Sequence, residues 1–530
     1  MDARRRAARR GRGDRRRFVA LAVGVSLAAA AFAAWPALRD ADERYLALGQ
    51  PGHGEAAAGD HLQLAWALWL PGHQLERGGA PWADPYSFRP VAEAPPNLLG
   101  FPLALPYWPL DRLLGAVPAY NLVLLLALAA SGLTACWWLR ALGLPRAAAL
   151  LGGVAYGLAP YLLAQAAAGH LLGLVAALLP GTLLALERRR LALAAALLAA
   201  VPLAGQLHLA LGAIPLFLGY AWARLERRHR RAAAIGAGVA AGVATAVWAL
   251  TVPGSIASGG RSLAAVERYQ AEPGDFLRRS APADATQIEE LVYPGRLLPL
   301  LALAGLVLLA RERRRGLAAV LAAAAVVPSL LALGTNLPLY EPLWNAFPPL
   351  RFPRVPERLL PLACLALAAL AAVAAARLRR PALVALLLVL VAADLRVGVF
   401  EATAADRPAA AYAALRSDGR LLELPVFRPG QHWGSVYLAY ARRSPRQRPQ
   451  GYSTVAERAA DRWARANERL SCGRGRLPAG IRYVVLHRGL YAQSGLEAGC
   501  ARRAAAMLRR AGWRRLAGDG TITSYERPGS

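Results

Sequence analysis

The feature that most constrains this chain is an alternation of arginine clusters with apolar stretches long enough to cross a bilayer. Clusters at 188–190, 224–231, 311–315 and 377–380 punctuate long runs of Leu, Ala and Val. A soluble core takes its apolar residues at helix or strand spacing, so blocks of this kind point to membrane spans. They run approximately over 18–38, 118–139, 146–160, 169–186, 191–207, 209–224, 232–252, 295–310, 316–334, 359–376 and 381–399, about eleven in all. The segment 1–17 carries nine Arg residues and reads as a cytoplasmic start. The apolar run after it exceeds the roughly 7–15 residues of a signal-peptide core, which predicts a retained anchor. Counting spans from that start puts all four clusters on the cytoplasmic side, as the positive-inside rule requires. The same count puts 39–117, 253–294, 335–358 and 400–530 outside. The stretch Leu98 to Gly115 is apolar, yet Pro102, Pro106, Pro109, Asp111 and Arg112 interrupt it. It reads as interfacial or re-entrant, since a full span there would reverse every later cluster.

The expected fold is thus an α-helical polytopic membrane protein with about eleven transmembrane helices and a small C-terminal α/β extracytoplasmic domain. Its parts are the basic N-terminus 1–17, a membrane domain 18–399 that includes the outer loop 39–117, and the outer domain 400–530. In the last, β-like runs at Leu421 to Phe427, Tyr483 to His487 and Thr521 to Tyr525 accompany helical spacing over Ala501 to Ala511. The expected location is the plasma membrane, with the N-terminus cytoplasmic and the C-terminus extracytoplasmic.

The net charge of +30 would suggest nucleic acid in a soluble protein, but the clusters sit at span ends and serve as topology signals. No nucleic-acid partner is expected. Membrane lipids are, because the Arg-rich tail suits anionic head groups. Cys136 and Cys364 lie in apolar segments and read as small hydrophobes. Cys472 and Cys500 fall in the outer domain, where a disulfide is permitted.

The outer loop 39–117 is the most informative stretch. It holds Gly59-Asp60-His61, then Trp66 and Trp69, then Asp84-Pro85-Tyr86-Ser87-Phe88. Residues His61 to Arg77 read as an amphipathic helix, and Asp60 stands where a carboxylate caps free N–H groups. Asp84 before Pro85 reads as a turn, or as a second acid that assists Asp60 or holds a cation. Arg351, Arg354 and Arg358 gather at the mouth of a span, and guanidinium groups suit a phosphate. His61 and His170 are candidate cavity-lining residues, as are Glu289 and Glu290, which suit acceptor or cation contact; His208 beside Gln206 reads as structural.

Taken in order, several stretches resemble the GT-C class of polytopic glycosyltransferases, in particular its bacterial members with a C-terminal outer domain. They are the Gly59-Asp60 loop with its Trp-bearing helix and Phe88-Arg89-Pro90, Ala119-Tyr120-Asn121, Tyr156-Gly157-Leu158-Ala159-Pro160-Tyr161, and Gly169-His170-Leu171. Glu290-Leu291-Val292-Tyr293-Pro294-Gly295, Arg354-Val355-Pro356-Glu357-Arg358, Glu423-Leu424-Pro425, Gly451-Tyr452-Ser453 and the run Ile481 to His487 complete the pattern. The resemblance implies transfer of a sugar from a polyprenyl-phosphate carrier to a cell-envelope glycan or protein acceptor on the outer face. It also implies that an acid in the first outer loop acts as base, and Asp60 is the matching position. No cofactor is fixed by the sequence; a divalent cation is the one candidate, and its ligands are not identified.

The chain has no Walker-type phosphate loop, His-Glu-x-x-His helix, Cys-x-x-Cys pair or Gly-x-Ser-x-Gly elbow. An ATP-driven pump, a zinc protease and an α/β-hydrolase are therefore not expected. The alternative to an enzyme is a membrane protein that transports or scaffolds lipid-linked envelope precursors. A transport path calls for charged residues or broken helices near mid-membrane, whereas here the polar groups concentrate at outer span ends.

Overall fold

The structure is a computed structural model that describes residues 2–280, 288–352, 355–403, 409–416 and 418–529. Each of the eleven apolar stretches is largely helical. Among the described residues, five helices are long and apolar enough to cross a membrane: Gly13–Ala34, Ala116–Ala141, Arg227–Thr251, Arg315–Ala332 and Pro356–Ala375. The pair Arg146–Gly157 and Pro160–Ala167, bent by 42°, makes a sixth if it is counted as one span. Leu171–Glu187, Leu191–Leu203, Leu297–Arg311 and Pro381–Leu395 are apolar but shorter. Pro160 has no N–H to offer the helix before it, so the bend falls where the expected span 146–160 ends, and Pro160–Ala167 lies between two expected spans; Gly205, at positive φ, follows the end of Leu191–Leu203, short of the expected 207. The stretch expected to be interfacial contains the helix Ala104–Leu114, too short at 11 residues to cross a bilayer.

Small residues set the closest helix contacts. A Cβ on Gly305 would lie 1.9 Å from the Leu370 carbonyl oxygen, and one on Gly153 2.6 Å from that of Gly132. These glycines let Leu297–Arg311 approach Leu360–Ala375, and Arg146–Gly157 approach Ala116–Ala141, nearly backbone to backbone.

Beyond the membrane helices, β1 (Tyr45–Ala47) pairs antiparallel with β2 (Glu401–Thr403), tying the start of the outer loop to the start of the tail. A four-stranded sheet follows: β3 (Arg420–Leu424), β4 (Ile481–His487), β5 (Arg514–Gly518) and β6 (Ile522–Glu526), in the order β3-β4-β6-β5. β3 and β4 run parallel and the other pairs antiparallel. β3 ends at Leu424 rather than Phe427 because Pro425 has no N–H to offer the ladder. The helix Ala498–Arg510 covers the sheet, with Ala504 and Leu508 packed on Leu422, Val484 and Leu486. Cys472 and Cys500 form a disulfide that pins this helix to the turn ending at Cys472.

The tail does not stand apart from the outer loop. Glu55 and His487, both fully buried, pair through Oε2 and Nδ1 at 2.6 Å, and Leu490 N donates to Glu55 Oε1 at 3.2 Å. Gly59 N donates to Ser435 Oγ, Phe88 N to the Gln450 carbonyl and Arg448 N to the Tyr86 carbonyl. Burial of this loop between tail and membrane helices explains a departure from expectation. The helix Asp60–Glu76 is buried on nearly all sides of its first three turns, including His61, Leu64, Trp66 and Leu68, so it is not the two-faced interfacial helix that its sequence suggested.

Candidate active site

Asp60 is the first residue of its helix, with Gly59 at the cap position, and its side chain makes no capping hydrogen bond. The capping role expected for it is therefore wrong. Its carboxylate turns the other way: Oδ2 lies 2.9 Å from His170 Nε2, and Oδ1 accepts a 2.6 Å hydrogen bond from the Tyr452 hydroxyl. The approach depends on Gly169, whose φ is 83° and whose missing Cβ would lie 2.1 Å from His61 N. Any larger residue there would push His170 away from the loop.

His170 links Asp60 to a second carboxylate. Its Nδ1 lies 2.7 Å from Gln165 Oε1 and 3.5 Å from Glu289 Oε1, and Glu289 Oε1 in turn accepts from Arg358 Nη2 at 2.8 Å. Each ring nitrogen of His170 thus faces a side-chain oxygen. Burial pushes the Asp60 carboxyl up, but the bond and charge of His170 and the Tyr452 hydroxyl outweigh it and hold the acid well below the usual carboxylate range. Asp60 is an anion at neutral pH, and 26% of its side-chain surface stays accessible.

That accessible face opens on a cleft of about 260 Å³. The walls bring Asp60 and His170 together with Arg358, His208 and Arg261, while Trp66, Phe88 and Leu438 supply apolar surface. His208 Nε2 and Arg358 Nε are buried with no hydrogen-bond partner among the described residues. An orphaned guanidinium N–H in a cleft suits an anionic ligand.

The other sequence candidates separate. Asp84 reaches the cleft wall, but its Oδ1 accepts from Tyr86 N and Ser87 N and its Oδ2 from the Trp66 indole, the geometry of a turn. His61 is not a cavity residue: it is buried against Tyr45, ring centroids 5.5 Å apart, and burial holds its pKa down at about 4. Arg351 does not reach the cleft either, because its guanidinium bonds the carbonyls of Trp344 and Asn345 and stacks over the Trp344 ring. Arg354 lies outside the described residues. Arg358 pairs with Glu289 rather than with neighbouring Glu357, and Glu290 is half-buried off the cleft wall. For a divalent cation, no three ligand-type side chains converge among the described residues.

Sequence reasoning missed Tyr452, Gln165 and Arg261 as site residues. Only Tyr452 had left a trace, in the Gly451-Tyr452-Ser453 stretch, because its partner lies 392 residues away. Arg261 follows Gly259-Gly260 in an outer loop and carries no spacing signal of its own.

No protein-family model matches the sequence, and no curated protein is similar to it. Among solved structures, arabinofuranosyltransferase AftD from Mycobacteria superposes with a TM-score of 0.60 at 18% identity, over 97% of this chain and 40% of AftD. The chain thus matches less than half the length of that protein. The oligosaccharyltransferase AglB from Archaeoglobus fulgidus, in complex with an inhibitory peptide and a dolichol-phosphate, is a looser likeness, with a TM-score of 0.46 and 11% identity over 96% of this chain and 74% of AglB. The helices and the tail together thus share the fold of AftD.

Proposed function

We propose that the cleft transfers a sugar from a polyprenyl-phosphate donor to a cell-envelope glycan or protein on the outer face of the plasma membrane. The observation that carries this reading is the sharing of one cleft by the anionic Asp60 and the cationic Arg358 and Arg261. In the reaction the acceptor hydroxyl attacks the anomeric carbon, Asp60 takes the hydroxyl proton, and the bond from that carbon to the phosphate oxygen breaks. The polyprenyl phosphate leaves as an anion, and Arg358 and Arg261 stabilise its charge. Asp60 is a weak base, which is enough here. The attacked centre has oxocarbenium character, so the hydroxyl becomes acidic only as its bond to carbon forms. The N-terminus would be cytoplasmic and the tail extracytoplasmic, as positive-inside charge favours.

The low proton affinity of Asp60 is the observation that favours the second reading, a protein that moves or scaffolds lipid-linked precursors, with Asp60 as a structural link between loop and tail. The two part on Asp60→Asn assayed against a panel of polyprenyl-phosphate sugars. Loss of a general base lowers turnover by about 10²-fold or more. A folded, inserted Asp60→Asn protein with full activity would overturn the assignment.

A further inference from the structure

A second cavity of about 230 Å³ lies further along the same loop helix, between Asp60–Glu76 and Ala104–Leu114, and the reaction just described does not use it. Two indoles line it. Trp69 stands on the loop helix, and Trp108 comes from the second helix and lies across Gly72, where a Cβ would meet its Cγ at 2.6 Å. The loop helix thus carries no side chain at the point where this indole rests, and Gly mid-helix is otherwise unfavourable. The Trp108 Nε1 donates to Glu76 Oε1 at 2.7 Å, which fixes the ring.

The polar groups are just as specific. Arg112 pairs with Glu76, and Asp111 pairs with Arg442 at 3.2 Å while accepting from the Tyr107 hydroxyl at the same distance. The four charges cancel in pairs. Burial, with the charge of Arg77, lowers the His73 pKa and so disfavours its charged form. The cavity therefore offers aromatic faces rimmed by donors and acceptors whose charges, Arg77 included, nearly balance. That combination fits a neutral polyhydroxylated ring, whose C–H face lies on an indole while its hydroxyls bond the rim.

Trp66 lines the first cleft and Trp69 the second, with ring centroids 5.0 Å apart, and Trp69 stacks on His73 at 4.2 Å. An aromatic strip thus joins the two cavities. From Asp60 to His73 the helix rises roughly 20 Å, at about 1.5 Å per residue.

We propose that this cavity is a saccharide subsite that holds a distal, uncharged sugar of an extended glycan acceptor whose end lies beside Asp60. The proposal rests on the glycosyl-transfer reading for the word acceptor, but its test reads binding alone, with no donor present. Full-length protein in nanodiscs is titrated with fluorescently labelled mannohexaose and arabinohexaose, with an oligogalacturonate as the acidic comparison. A second series tests protection by phosphatidylglycerol vesicles. At least one neutral hexasaccharide binds the wild type, and Trp108→Ala weakens it by about tenfold. Gly72→Ala does the same without removing any chemical group, because the new methyl displaces the indole while Ala favours the helix. Binding of neither neutral oligosaccharide, or binding that ignores both substitutions, overturns the subsite. Substitution-sensitive binding confined to the oligogalacturonate or the vesicles overturns it too, and points to an anion or lipid site. Sugar binding that persists in protein lacking transfer activity retires the catalytic reading and leaves the subsite standing.

Discussion

The pair of Glu55 and His487 offers the sharpest test of how the loop that carries Asp60 is held. Both side chains are fully buried, and the contacts at stake are the 2.6 Å pair itself, the bond from Leu490 N to Glu55, and the 2.9 Å bond between His487 Nε2 and the Tyr412 hydroxyl. His487→Leu removes one partner and leaves the Glu55 carboxyl group without it in a place that water does not reach. Breaking a buried pair in this way destabilises by about 3–5 kcal/mol, most of it the desolvation of the orphaned charge. Adding Glu55→Gln to His487→Leu removes that charge, so the double variant recovers a large part of the loss, although it has fewer native contacts than the single one. The assay is thermal unfolding in detergent, read on the wild type, both single variants and the double. Limited proteolysis of the loop reports whether it has left the tail. A His487→Leu protein as stable as wild type, or a double variant less stable than His487→Leu, would refute the argument that an uncompensated charge is the main cost.

The His61 ring makes stability pH-dependent: its folded pKa of about 4 lies below its ordinary 6.5, so the unfolded chain binds more protons between those values and stability falls as pH drops through that window. His61→Gln removes that proton uptake and flattens the fall, measured as melting temperature against pH. Gly305→Val forces two helices apart where a Cβ already meets a carbonyl oxygen, and overpacking of this kind costs about 1–3 kcal/mol in denaturation experiments. Arg358→Lys keeps a positive charge but loses the planar fork shared between Glu289 and the cleft; it lowers donor use less than Asp60→Asn lowers turnover in a polyprenyl-phosphate sugar assay. With Cys472 or Cys500 replaced singly, the remaining thiol labels from the non-cytoplasmic side only; labelling from the cytoplasm would reverse the proposed orientation.

The apolar blocks made the helical membrane architecture legible, because segregation of that length has few other solutions. Their number was less so, since Leu171–Glu187, Leu191–Leu203, Leu297–Arg311 and Pro381–Leu395 are apolar but only 10–17 residues long. Three of the four strands in the tail's main sheet were readable, whereas Arg514–Gly518 has two arginines at its start and only half-buried residues after them, which leaves no period-two signal. At the site, Asp60 and Arg358 stood out because their charges interrupt apolar context. The assignment of Asp60 as a cap failed because the helix starts one residue earlier than its pattern suggests. Arg351 looked equivalent to Arg358 in sequence, and only backbone carbonyls at Trp344 and Asn345 separate them. Partners of Asp60 such as Tyr452 are set by docking of the tail, and no local spacing encodes docking.

The hydrogen bond from Tyr452 to Asp60 crosses 392 residues of sequence, and it turns the order of synthesis into a condition on the site. The loop bearing Asp60 emerges early, long before the residue that completes its surroundings. Until the tail has folded against it, Asp60 lacks one of its two side-chain partners and Gly59 N lacks its Ser435 acceptor. The arrangement described here therefore comes into being late in the life of each new chain, and the tail acts as a timer as well as a wall.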